Sequence, residues 1–223
     1  MSHREDGLTL YENALYEDAL DAFMSEDVDP VEDPELAYFI GLCYTRTREY
    51  NAAVFYLEKS LEEDSSFLRA FQIRMVLAYI YNVSGNFSAA ELQLRQLLND
   101  GFESSQVFTS LGYTLWSKGN VSEAIDYLTR ALEIDSDNPN TLNSLGYIMA
   151  EESINPEKAV EYCRKALKLN SENGNYQDSL GWALFKTGNM DEARIFLEKA
   201  LKNTNDNPDI REHLNVLERY DKF

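Results

Sequence analysis

A small residue returns about every 34 positions along this chain, and that spacing limits the fold more than any other feature. Gly7 to Gly41 is 34 residues, Gly112 to Gly146 is 34 and Gly146 to Gly181 is 35. The 71 residues from Gly41 to Gly112 hold two periods and a three-residue insertion, with Ala78 at the intermediate place. Most of these positions lie in stretches that read as helix: "YFIGLCYTRT", "TSLGYTLWSKGN", "NSLGYIMAEE" and "DSLGWALFKTGN". A glycine inside a helix costs about 1 kcal/mol relative to alanine. A chain that repeats this cost must recover it in packing.

A second small residue follows twelve positions later, at Ala19, Ala53, Ala90, Ala124 and Ala193. Ala159 comes thirteen after Gly146, because "EESINP" replaces the tight turn "KGN". Large apolar residues fill the steps between, as in Phe23, Leu57, Leu94, Leu128 and Leu197. Each unit is predicted to be two amphipathic helices joined by a turn such as "SGN", "KGN" or "TGN", whose glycine supplies the positive φ of a helix C-cap. Pro34, Pro139 and Pro208 open first helices, each behind an Asp or Asn that can cap. The glycine lets the following helix approach closely, with the alanine expected opposite. One such hairpin cannot bury its apolar face, whereas a stack of them can.

This pattern resembles the tetratricopeptide repeat, a 34-residue helix-turn-helix unit, and the paired "NSLGY" and "DSLGW" look most like bacterial adaptor and scaffold members. The resemblance implies an all-α, right-handed solenoid superhelix forming a single domain over residues 1–223. Its repeats are expected at about 1–33, 34–70, 71–104, 105–138, 139–173 and 174–207, with a capping helix over 208–223. The family's usual proline at the end of the second helix is absent; Ser65, Ser136, Ser171 and Asn205 stand there. The first repeat also departs, with His3 and Asp6 where the others place large apolar residues. It is either a polar N-terminal cap or the remnant of a longer chain.

In this family the first helices line a concave groove, and the residue after the glycine looks into it. That implies Leu42, Tyr79, Tyr113, Tyr147 and Trp182 as groove residues. Residues one turn later on the same face add Asn82, Trp116 and Phe185, and one turn earlier Tyr38, Met75, Asn143 and Asp178. The expected site is therefore a ladder of aromatic rings with amides between them, taking an extended or helical peptide from a partner protein. Trp116 and Phe185 are the expected ligand contacts, and the competing role for the rings is to stiffen the stack. Only Arg46 and Lys186 lie near the places where some members grip a terminal carboxylate. An apolar or basic segment is therefore expected in the groove, and not an acidic tail.

The formal charge is −19, which argues against nucleic acid as partner, since phosphate binding needs clustered Lys and Arg. Residues 1–64 alone hold 17 Asp plus Glu against 4 Lys plus Arg. No apolar run approaches the ~18 residues of a membrane span, and no signal sequence opens the chain. A cytoplasmic setting is expected, or the cell envelope if a longer natural chain carries a signal. His3 and His213 have no nucleophile paired with them in the sequence, Cys43 and Cys163 stand outside any metal or redox motif, and "DSDNPN" lacks the glycine and glutamate of a calcium loop. Neither catalytic activity nor a metal or cofactor is expected. The function expected is an adaptor, scaffold or assembly chaperone, the alternative being a self-associating component of a larger assembly.

Overall fold

The computed structural model describes residues 3–63 and 66–220; Ser65 lies outside them. The described residues form α1 (His3–Glu12), α2 (Tyr16–Met24), α3 (Pro34–Thr47), α4 (Tyr50–Glu63), α5 (Phe67–Val83) and α6 (Phe87–Asn99). There follow α7 (Ser105–Ser117), α8 (Val121–Ile134), α9 (Pro139–Glu151), α10 (Pro156–Leu169), α11 (Gly174–Lys186), α12 (Met190–Asn203) and α13 (Pro208–Tyr220). No strand occurs among the described residues. The fold is an all-α array of helical hairpins, grouped into two compact units, residues 1–102 and 103–223. The first holds the hairpins α1–α2, α3–α4 and α5–α6; the second holds α7–α8, α9–α10 and α11–α12, followed by α13.

The recurring glycines sit where two helices of a hairpin touch. A Cβ added to Gly41 would stand 2.7 Å from Leu57 Cγ, and one on Gly112 would stand 2.6 Å from Leu128 Cγ and 3.1 Å from the Ala124 carbonyl oxygen. On Gly181 it would meet Leu197 Cγ at 2.8 Å. The residue opposite the glycine is thus the large one, four positions beyond the alanine. This corrects the expectation of alanine opposite. The alanine instead brings its backbone close, and one helical turn on, the same face presents the leucine. At Gly146 a cysteine takes the leucine's place, with Cys163 Sγ 2.6 Å from the absent Cβ. Burial there pushes the Cys163 thiol up to about 12, the behaviour of a small hydrophobe and not of a reactive thiol.

Turns and caps follow the sequence. Gly85, Gly119 and Gly188 close the "SGN", "KGN" and "TGN" turns at φ 74°, 86° and 80°, a region closed to most side chains. The Asp33 carboxylate accepts from the Glu35 and Leu36 amides at 3.1 and 3.0 Å, and the Asn138 amide oxygen accepts from Asn140 and Thr141, both at 3.1 Å. Asn207 accepts from Asp209 N at 2.9 Å at the head of α13.

One boundary differs. The third repeat was expected to open at residue 71, but α5 begins at Phe67 and runs 17 residues. The three-residue insertion is absorbed as extra helix at the front of α5, where the Ser66 hydroxyl accepts from Arg69 N and Phe67 stacks on Phe102 at 4.1 Å between centroids.

Candidate functional site

In the unit spanning 1–102, the predicted residues lie on the first helices α3 and α5. Tyr38 donates its hydroxyl to Gln72 Oε1 at 3.2 Å, and the Arg69 guanidinium lies 5.7 Å from its ring centre. Leu42 and Met75 are half-buried, as is Asn82. Tyr79 is 52% exposed. Burial and a hydrogen bond with Tyr50 raise its hydroxyl above the ordinary tyrosine value. Two arginines stand on the same helix as Tyr38 and Leu42 or at its end. The Arg46 guanidinium sits 5.8 Å from the ring centre of Tyr16, and Arg48 closes α3 in the left-handed conformation at φ 65°.

In the unit spanning 103–223, the rings make one continuous row. Tyr113 and Trp116 are 6.0 Å apart between centroids, and Trp116 meets Tyr147 edge-on at 5.6 Å. Tyr147 is followed by His213 at 6.1 Å, which stacks on Trp182 at 4.3 Å with planes 20° apart. Trp182 stacks on Phe185 at 5.1 Å, and Phe185 touches Tyr220 at 5.3 Å. Edge-on and offset contacts of this kind each add roughly 0.5–1.5 kcal/mol beyond area burial.

Burial varies along that row. Asp178 and Trp182 were expected to face the groove, but Trp182 is only 7% exposed and Asp178 is buried as well. The cause is α13. The 34-residue period continues one more step, so α13 packs where the first helix of a further repeat would stand. His213, 35 residues after Asp178, places Nδ1 2.8 Å from Asp178 Oδ1. Trp182 Nε1 donates to Glu151 Oε2 at 2.6 Å, and Lys186 Nζ lies 5.1 Å from the indole centre. Phe185 is half-buried between Trp182 and Tyr220. The signal that could have revealed this was in the sequence: extending the period past Asp178 lands on His213, in a helix with its own apolar stripe.

The part of the row that begins at Tyr113 is not covered in this way. Tyr113 is 44% exposed. Trp116 is half-buried and donates Nε1 to Glu152 Oε1 at 2.9 Å. Asn143 Oδ1 is buried with no hydrogen-bond partner, whereas neighbouring polar groups are satisfied: Thr109 Oγ1 lies 2.6 Å from Thr141 Oγ1, and Tyr176 donates to Asn140 Oδ1 at 2.5 Å. Burial first, then the carboxylates Glu151 and Asp178, hold the Tyr147 hydroxyl protonated far above the ordinary range. Among the described residues no group of three or more His, Cys, Asp or Glu could hold a metal ion. None of the described helices is long and apolar enough to cross a membrane.

Hairpins that repeat at this spacing, with a small residue packed on a larger one where the helices cross, are one family's architecture, and the tetratricopeptide repeat profiles match residues 34–67, 105–138 and 149–214. The chain belongs to the tetratricopeptide repeat family. No curated protein matches its sequence. Solved structures do match its fold. YrrB, described as a tetratricopeptide repeat protein with an unusual peptide-binding site, superposes with a TM-score of 0.54 at 20% identity, over 81% of this chain and 91% of its own. TTC0263, a thermophilic repeat protein of Thermus thermophilus, gives 0.67 at 19% identity, over 82% and 98%. The Cut9–Hcn1 hetero-tetramer of the APC/C gives 0.78 at 14% identity, over 96% of this chain and 42% of that one. In this chain's second unit, α13 covers Trp182 of the last hairpin.

Proposed function

We propose that this protein is a non-catalytic adaptor, scaffold or assembly chaperone that holds a peptide or helix of a partner protein against the first helices of residues 103–223. The family's repeats make it a protein–protein interaction module. The observation that carries the finer reading is the exposed Tyr113 in contact with the half-buried Trp116, which meets Tyr147 edge-on; four residues before Tyr147 on α9, Asn143 keeps a buried, unpartnered Oδ1. A buried acceptor left unpaired costs about 1–3 kcal/mol. A partner's main-chain N–H that reaches it recovers that cost, while the rings supply contact area with little side-chain entropy to lose. Glu151 and Glu152 beside the row favour a segment that is apolar or basic. That YrrB carries a peptide-binding site on the same fold supports the reading.

The test is affinity capture from the native organism with the full chain and with Trp116→Ala, followed by titration of the recovered partner. Trp116→Ala is expected to weaken binding about thirtyfold, the equivalent of about 2 kcal/mol at a hot spot, with an unchanged circular dichroism spectrum. Equal affinity for the two proteins would remove the aromatic row from the binding site.

A further inference from the structure

The chain's two tryptophans, carried by the first helices on either side, both reach the end of α9. Trp182 of α11 donates Nε1 to Glu151 Oε2 at 2.6 Å, and Trp116 of α7 donates Nε1 to Glu152 Oε1 at 2.9 Å. At Trp182 the chain also supplies a cation. Lys186 places Nζ 5.1 Å from the indole centre and 3.9 Å from Glu151 Oε2, and it donates to the Glu151 carbonyl oxygen at 3.3 Å. One ammonium thus meets an indole, a carboxylate and a carbonyl at a helix C-terminus, three groups that each attract positive charge. At Trp116 the indole and the carboxylate recur without the lysine. Among the described residues no Lys or Arg pairs with Glu152 or lies over the Trp116 ring, and the last turn of α9 carries no basic residue.

We infer that Trp116 and Glu152 form a seat for a lysine side chain of the partner segment, which rests on the groove proposed above for this face. The ammonium lies against the half-buried indole and pairs with the exposed Glu152 carboxylate, as Lys186 does at Trp182 and Glu151. The exposed Tyr113 and the edge-on Tyr147 give the lysine's four-carbon stem apolar surface to lie along. Glu151 is already engaged by Lys186, so Glu152 is the carboxylate that reads the charge. The long-range field agrees. Residues 103–223 hold 20 Asp and Glu against 13 Lys and Arg, a balance that draws in a basic segment and repels an acidic one.

The probe is a labelled peptide of alternating lysine and leucine, titrated by anisotropy against the full chain. Beside it runs the same peptide with its lysines acetylated, which keeps the stem and removes the charge. The lysine peptide is expected to bind at least about tenfold more tightly than the acetylated one. Glu152→Gln keeps an acceptor for the indole N–H and should bring the two peptides to parity, with the acetylated one unaffected. Glu133→Gln removes one charge from an exposed position on α8 and should leave both affinities unchanged. Trp116→Ala should weaken both peptides, since both use the ring. Equal binding of the two peptides, no binding of the lysine peptide, or a preference that survives Glu152→Gln would overturn the inference. An equal loss in Glu133→Gln would do the same, by making the attraction a matter of net charge. Trp116→Ala tells the two failures apart: unchanged affinity for both peptides removes the groove itself, whereas weakened binding of both with Glu152→Gln silent keeps the groove and removes the lysine seat. Dimers in light scattering that vanish in Glu152→Gln would give the seat to a second copy of the chain and overturn the partner's claim to it.

Discussion

The two units are built from the same hairpin, yet their first-helix sides have opposite character. In residues 1–102 that side carries Arg46 and Arg48 and rings that meet only in small groups, such as Tyr11 with Tyr16 at 5.4 Å and Tyr38 with Phe39 at 5.2 Å, while Tyr79 is half exposed. In residues 103–223 it carries Glu151, Glu152 and Asp178 and a row of seven rings in contact, from Tyr113 to Tyr220. Net charge gives no warning of this, since the unit with more acid presents the arginines. The repeat fixes which positions face outward from the first helices. It leaves the residue types at those positions free, and that freedom is where one scaffold acquires two chemistries.

The comparison can be broken most severely at what the units share. Gly112→Leu or Gly181→Leu drives a side chain into Leu128 or Leu197 and toward backbone atoms 3.1 Å from the Cβ position. A loss upwards of about 3 kcal/mol is expected, as for severe overpacking, and it spreads to neighbouring hairpins. Denaturant midpoints that match the parent protein for both variants would refute the glycine-on-leucine crossing.

Next in size is a contrast between the two faces. Trp182→Ala removes a buried indole stacked between His213 and Phe185, and about 3 kcal/mol of stability should go with it. Tyr79→Ala removes a half-exposed ring and should cost under about 1 kcal/mol. Urea melts of the two variants compare them directly; similar losses would mean that the faces are packed alike.

The smallest effect lies in the caps. At Asp33, burial raises the carboxyl, but the Leu36 amide and then Arg4 outweigh it, and the group is held below the usual carboxylate range. A depressed folded value stabilises above the unfolded pKa of about 3.9, and that stability is lost as pH falls through the folded value. Asn138 does the same work at the head of α9 with an amide that does not titrate. Asp33→Ala should therefore cost about 1 kcal/mol near neutrality and less in acid, whereas Asn138→Ala should cost the same at both. Parallel pH dependence for the two would show that the charge on Asp33 is idle.

Much of this could be read before any coordinates. Spacing gave the hairpins because Gly112, Leu128 and their counterparts are local signals, each a consequence of one helix crossing another. The Gly-Asn turns and the Asp33 and Asn138 caps were legible for the same reason. The insertion before Phe71 was not, because a helix can absorb extra residues at its front without disturbing the period. The site was legible as positions and not as exposure. Trp182 and Tyr79 occupy equivalent places in the repeat, but what covers each depends on the neighbouring helix, and only α13 brings a histidine to stack on one of them. Arg46 was visible as a letter; that its guanidinium lies 5.8 Å from the ring centre of Tyr16 is a fact of tertiary packing.

The central claim is that the aromatic row is sealed at Trp182 and open at Trp116. Trp116 and Trp182 are the chain's two tryptophans, so Trp116→Phe and Trp182→Phe each leave one reporter. Acrylamide quenching of the folded proteins should be weak for Trp182 alone, with blue-shifted emission, and several times stronger for Trp116 alone. Equal quenching, or a Trp182 more accessible than Trp116, would contradict the account.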